Sequence, residues 1–294
     1  MTMCRGVFFI TCALAFVAFF TGCGNSSSQD GEVKPIFAGE RPLTFGVFPF
    51  RKRAALLSAL KPLTEYLSHG LAAPIRVRLV LDYDELENLV RHGDLDLAWC
   101  APRQGVATPS ADSAPLQPVC RPESANPAGY HGLILVKATS QFLTLADLKD
   151  RVFTYVDRQS NSGFVQPNVL LCNAGLHPLR LFKTIRFAGN HDKAVEEVLT
   201  GLSDAAAVSD IVLHNPAVAS GMGTTLRVIA TTAAILPDPI LVAREVGPDF
   251  PSRVAGLLIE AENSPEGRVM LASLSSTLGI KRFVPLASSG GSIR

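Results

Sequence analysis

Alternating strand and helix signals, an internal echo and a length of 294 residues together predict an α/β chain built as two similar lobes. The echo follows two amphipathic helices. Glu85–His92 runs into Gly93-Asp94-Leu95-Asp96-Leu97-Ala98, and Lys193–Thr200 runs into Gly201-Leu202-Ser203-Asp204-Ala205-Ala206. Both read helix, G-x-x-D-x-A, strand, the mark of a repeated α/β unit. At roughly 150 residues per domain, the length allows about two domains. A hydrophobic share of 47% excludes a disordered chain. With 27 Lys and Arg against 26 Asp and Glu, the net charge of +1 excludes a strongly basic nucleic-acid binder.

The elements follow in order. Leu43–Phe48 is a short apolar strand. Ala54–His69 carries Leu56, Leu60, Leu63 and Leu67 at helical spacing and is ended by Gly70. Ile75–Leu81 is a strand, Tyr83–His92 a helix closed by Gly93, and Leu95–Cys100 the next strand. Leu133–Val136 is a strand, and Leu145–Lys149 a short helix capped by Thr144. Val152–Val156 is a strand, and Gly163–Ala174 a helix with Gly175 at its end. Strand Ile185–Phe187, helix Asp192–Leu199 and strand Ala205–Val208 complete a second unit. Arg227–Ala230 and Ile240–Val242 are strands around a Pro237-Asp238-Pro239 turn, before closing helices Val254–Ala261 and Gly267–Leu278. Strand–helix–strand repetition predicts parallel sheets.

The N-terminus reads as an address. Arg5 is the only charge before Cys23, and Val7–Phe20 is apolar except for Thr11. That run is shorter than the ~20 residues of a spanning helix and suits the apolar core of a signal peptide. Phe20-Thr21-Gly22-Cys23 resembles a bacterial lipobox, which implies lipidation at Cys23 and loss of residues 1–22. The mean hydropathy of +0.25 is partly this segment. Gly24-Asn25-Ser26-Ser27-Ser28-Gln29-Asp30-Gly31 is small and polar, as a tether is. The expectation is a protein of the cell envelope, anchored to a bacterial membrane and facing the periplasm or exterior. Of the remaining cysteines, Cys100 and Cys120 flank one loop and are candidates for a disulfide, which leaves Cys172 as a core thiol. No Cys or His spacing suggests a metal, and no cofactor is expected.

Several ordered stretches carry a more specific likeness. They are Phe45-Gly46-Val47-Phe48-Pro49, Leu60-Lys61-Pro62-Leu63-Thr64-Glu65-Tyr66-Leu67, Asp94-Leu95-Asp96-Leu97-Ala98-Trp99-Cys100-Ala101-Pro102, Ser160-Asn161-Ser162-Gly163-Phe164-Val165-Gln166-Pro167, Phe187-Ala188-Gly189-Asn190-His191-Asp192-Lys193-Ala194 and Ala205-Ala206-Ala207-Val208-Ser209-Asp210. Across about residues 43–245 this set resembles the phosphate/phosphonate/phosphite-binding proteins of ABC importers, the PhnD-like family. The resemblance implies the type II periplasmic-binding-protein fold, two α/β lobes joined by a hinge with the ligand cleft between them. Residues 43–133 plus 235–294 would form one lobe and 134–234 the other, after a tether at 23–42. It also implies that the S-x-[ST]-G turn, the G-x-H-D histidine and the later aspartate line an oxyanion site. Two positions depart from the family pattern: Asn161 stands where Thr is usual, and Gly105 where an aromatic is frequent.

The residues support that site on their own physics. Ser160, Asn161, Ser162 and Gly163 open a helix, whose first N–H groups and dipole favour an anion. An empty N-cap is the plain alternative. His191 offers an N–H donor that protonation would strengthen. Asp210 would repel a fully ionised anion but accept from a P–OH or an ammonium, which favours a protonated phosphorus oxyanion over sulfate; otherwise it caps the segment after it. Arg51, Lys52 and Arg53 form a solvated face or line the cleft, with Phe50 as a wall residue and Arg103 or Trp99 as further contacts.

The expected protein is therefore a solute-binding lipoprotein that feeds an ABC permease, a monomer that binds a small oxyanion and no nucleic acid. The alternatives are a lipoprotein sensor using the same clamp and, more remotely, a serine hydrolase built on Ser160, His191 and Asp210. Neither serine sits in a G-x-S-x-G elbow, which argues against the hydrolase.

Overall fold

The computed structural model describes residues 41–100 and 115–286, all within one compact unit. In chain order these form β1 (Leu43–Val47), α1 (Arg53–Leu71), β2 (Ile75–Leu79), α2 (Tyr83–His92), β3 (Leu97–Trp99), β4 (Leu116–Ser124), β5 (Gly132–Lys137) and β6 (Val152–Tyr155). Then come α3 (Gln166–Asn173), α4 (Pro178–Leu181), β7 (Thr184–Phe187), α5 (His191–Thr200), β8 (Ala205–Ser209), α6 (Pro216–Gly221) and β9 (Leu226–Thr231). The chain closes with β10 (Ile240–Ala243), α7 (Phe250–Ile259), α8 (Pro265–Leu278) and β11 (Ile280–Val284). One sheet has the order β11-β4-β10-β3-β1-β2, and the other β7-β6-β8-β5-β9.

The internal echo is structural. In each sheet a strand (β1 or β6) is flanked by two parallel neighbours reached through helices. Gly93 and Gly201 end the two preceding helices at φ 73° and 78°. Asp96 accepts from Thr44 N at 2.7 Å, and Asp204 from Val152 N at 2.8 Å. Each aspartate therefore ties the last strand of its unit to the start of the central one.

The sheets are mixed rather than parallel. In the first sheet β10 runs antiparallel to β3 and β4, and in the second β5 runs antiparallel to β8 and β9. The cause is connectivity: β5 and β10 are the strands on which the chain arrives from the other sheet. The crossovers pair with each other. Tyr130 N donates to Ile235 O at 3.0 Å, Ile235 N returns a bond to Tyr130 O at 2.7 Å, and Thr232 N donates to Gly132 O at 2.9 Å. Gly129, at φ 120°, is needed here, because a Cβ would meet Ile235 O at 2.1 Å.

Leu56, Leu60, Leu63 and Leu67 of α1 bury the predicted face against the first sheet. The helix passes Gly70 and stops one residue later, with Ala72 taking the left-handed cap at φ 52°. Thr144 does not cap the next short helix, a 3-10 turn at Ala146–Leu148; instead Asp147 accepts from Leu143 N and Thr144 N. Two strands carried no readable signal. β4 contains Pro118 and Pro122, which break a strand pattern, and a register shift opposite Ile240 and Leu241 accommodates the irregularity. β11 is an edge strand with exposed Lys281 and Arg282, charges that protect an edge and hide its hydrophobic pattern.

The candidate Cys100–Cys120 disulfide is absent, and both thiols are free. β10 lies between β3 and β4. Two strand spacings come to roughly 9–10 Å, beyond the reach of a disulfide. Burial pushes both thiols up to about 12. Cys172 is exposed rather than in the core. Alkylation of the native protein followed by peptide mapping should mark Cys172 rapidly, Cys100 slowly and Cys120 only after denaturation.

Candidate ligand-binding site

The cleft between the two sheets encloses about 1640 Å³ and is lined from both lobes. One of its walls is the turn before α3. Ser160 caps this turn, its Oγ accepting from Gly163 N at 3.0 Å. Val165 N then donates to Ser160 O at 3.0 Å, closing one π-helical turn over Asn161–Val165. Wide turns of this kind widen the spacing of the leading N–H groups and recur at binding sites. Gly163 is required by closeness, since a Cβ would come within 2.6 Å of Val156 Cβ and 2.9 Å of Ser160 Oγ. Ser160, Asn161 and Ser162 all face the cleft.

His191 is buried and opens onto the same cleft. Its Nδ1 accepts from Ser209 N at 2.9 Å, so the ring hydrogen of the neutral form sits on Nε2. Burial pushes its pKa down to about 3, against a partial opposing pull from Asp192. The strengthening by protonation is therefore not available to His191, which stays neutral with a tautomer that a backbone N–H selects. Asp210 also lines the cleft. It does not cap the segment after it; Ser209 does, accepting from Ile211 N. Asp210 instead accepts from His131 N at 2.9 Å, which ties it to the first crossover. Burial raises its pKa, and the His131 bond opposes the shift. With His191 Nδ1 on a backbone N–H and Asp210 on another, Ser160, His191 and Asp210 do not form a relay.

The facing wall is aromatic. Phe50 is buried between Phe48, at 5.3 Å between ring centroids, and Trp99, at 5.8 Å edge-on. Phe48 packs 4.2 Å from Tyr83. Tyr83 and Tyr130 stand at the turn, Tyr83 beside Ser160 and Tyr130 beside Ser162. Burial, with a contribution from the Asp238 charge, raises the pKa of both hydroxyls well above the ordinary tyrosine value, so they stay neutral. Trp99 Nε1 donates to Asp238 O at 3.0 Å. Sequence reasoning missed Tyr83, Tyr130 and the role of Asp238. Pro237-Asp238-Pro239 read only as a turn, and the tyrosines reach the site through tertiary contacts that have no local pattern.

Of the two readings of the three consecutive cations, the solvated face holds for Lys52 and Arg53, and none of the three lines the cleft. Arg51 is buried, with Nε 2.9 Å from both oxygens of Asp192. Lys52 pairs with Glu196, and Arg53 is exposed at the start of α1. Arg103, Gly105 and Cys23 lie outside the described residues, as do the signal segment and nearly all of the tether.

Two lobes, paired crossovers and a cleft at helix starts define a periplasmic-binding-protein architecture of type II. Residues 45–289 match the family described as ABC transporter, phosphonate, periplasmic substrate-binding protein, and the chain belongs to it. Members of this family bind substrates and are not enzymes. A curated relative, the probable ABC transporter phosphite binding protein PhnD1 of Prochlorococcus marinus (strain MIT 9301), is 26% identical over 187 residues. That alignment spans 62% of each chain. Among solved structures, the binding protein component of an ABC phosphonate transporter from Pseudomonas aeruginosa has a TM-score of 0.71 at 20% identity, over 84% of this chain and 82% of that one. Prochlorococcus marinus PhnD1 in complex with methylphosphonate also has a TM-score of 0.71 at 20% identity, over 84% and 93%. At these identities the structures establish the shared fold.

Two outcomes follow from the geometry. An unfolded histidine titrates near 6.5, whereas His191 stays neutral down to about 3. Below about pH 6.5 the unfolded chain gains the extra proton, so His191 costs the fold up to about 1.4 kcal/mol per pH unit as pH falls toward 3. Melting curves from pH 4 to 8 should fall more steeply on the acid side for the wild type than for His191→Gln. Gly163→Ala should lose about 1–3 kcal/mol by overpacking, read in urea unfolding.

Proposed function

We propose that this chain is the solute-binding lipoprotein of an ABC importer and captures a small phosphorus oxyanion, a phosphonate, phosphite or phosphate, by closure of its two lobes. The observation that carries the reading is the convergence in one cleft of the Ser160–Gly163 helix start, the neutral His191 donor and the Asp210 carboxylate. The turn and His191 supply neutral donors for an oxyanion. Asp210 accepts from a P–OH or an ammonium and repels a fully ionised sulfate. Family membership supports the importer role, and methylphosphonate, held by Prochlorococcus marinus PhnD1 in its solved complex, belongs to the same chemical class. The Phe20-Thr21-Gly22-Cys23 sequence supports a lipid anchor at Cys23, with the protein held as a monomer beside a membrane permease. Two acyl chains, at ~0.8 kcal/mol per buried methylene, suffice for stable anchoring.

A thermal-shift panel tests the reading. At a hundredfold excess over Kd, a ligand adds about 2.7 kcal/mol, or roughly 5–10 °C for a chain of this size. At least one of phosphate, phosphite, methylphosphonate or aminoethylphosphonate should produce such a shift, and Ser162→Ala should reduce it. A larger shift with sulfate would overturn the role of Asp210, and no shift with any of them would overturn the oxyanion reading.

A further inference from the structure

The two lobes meet at a three-residue clasp beside the cleft. The segment Phe50–Lys52, between β1 and α1, lies against the first turn of α5 in the other lobe. Phe50 O accepts from His191 N at 3.1 Å. Lys52 N donates to Asp192 Oδ2 at 2.8 Å, and Arg51 Nε lies 2.9 Å from both Asp192 oxygens. Arg51 and Asp192 are each 7% exposed. Arg51 is oriented within its own lobe, where its Nη1 reaches Thr277 O near the end of α8 at 3.4 Å. Asp192 sits in the first turn of α5, where the helix dipole favours a carboxylate. The residues on either side of the pair, Phe50 and His191, both line the cleft.

We propose that Arg51 and Asp192 are the clasp by which the lobes close, and that Arg51 is a positioning residue that sets ligand affinity without touching ligand. With the lobes apart, both charges return to water. A buried ion pair roughly breaks even against its separated, hydrated partners, so the clasp fixes the register of closure while leaving the balance for ligand to tip. Because His191 N is bonded to Phe50 O within the clasp, closing it also sets the donor histidine against the aromatic wall. Removal of one partner penalises only the closed form, which must then bury a lone charge. Removal of both lifts that penalty, and the two substitutions are strongly non-additive.

The inference rests on the solute-binding reading for its affinity arm alone. In that arm, methylphosphonate is titrated into the wild type, Arg51→Met, Asp192→Leu and the double variant. Each single variant should raise Kd about tenfold or more, through a smaller closed fraction and a faster off-rate, and the double variant should recover most of the loss. Arg51→Lys keeps the charge but loses the planar fork; it should fall between wild type and Arg51→Met, and it serves where the others fold poorly. In the second arm, small-angle scattering without ligand should give a larger radius of gyration for each single variant than for wild type, with emission from the only tryptophan, Trp99, shifting in parallel. A merely structural pair would lower the melting temperature and leave ligand-free size and off-rate unchanged, and that result, or additive single effects, would overturn the clasp. If methylphosphonate fails to bind the wild type, the affinity arm counts against that ligand, and the scattering arm still decides the clasp.

Discussion

The cleft depends on the antiparallel pairing of the two crossover segments, Tyr130 with Ile235 and Gly132 with Thr232. Each sheet receives one strand from a chain arriving out of the other, so both crossings must pass through the same narrow place. They do so as a short ribbon that satisfies its own backbone groups. Its tightness is visible at Gly129, where any side chain would strike the carbonyl of Ile235. The ribbon also furnishes the site: Tyr130 reaches Ser162, His131 N holds Asp210, and the second crossing continues to Asp238 below Trp99.

Around that ribbon, the cleft presents neutral donors and carboxylates, with Arg91, Arg244 and Lys281 also in its lining. His191 is kept uncharged by burial, and its tautomer is chosen by Ser209 N. Tyr83 and Tyr130 are held protonated by burial beside Asp238. Buried arginine is present next to the cleft but is committed to Asp192. A chain of near-zero net charge can still present an anion-compatible pocket, because helix starts and fixed dipoles act locally.

Most helices and the central strands were legible because they carry local signals. Asp82 and Asn190 cap α2 and α5, glycines close both, and the buried strands are short apolar runs. The echo of Asp96 and Asp204 was readable as well, although its meaning as a strand-to-strand tie was not. β4 was hidden by its prolines and β11 by its charges. The Ser160–Gly163 turn and His191 were legible as site candidates, since a small polar cluster before a helix and a histidine beside an N-cap are local features.

Local sequence determined which segments are helix or strand, that they alternate, and that a polar glycine turn opens a helix at the site. Only the tertiary structure decided the strand directions, because those follow from which sheet the chain is arriving from. It decided the fate of Cys100 and Cys120, which β10 separates, and of Arg51, which reads as one of three surface cations but meets a carboxylate 141 positions away. It also decided the state of His191, whose proton depends on burial and on one distant N–H. Short-range patterns encode backbone propensity, whereas charge state, pairing and register across a cleft arise from groups brought together by the fold.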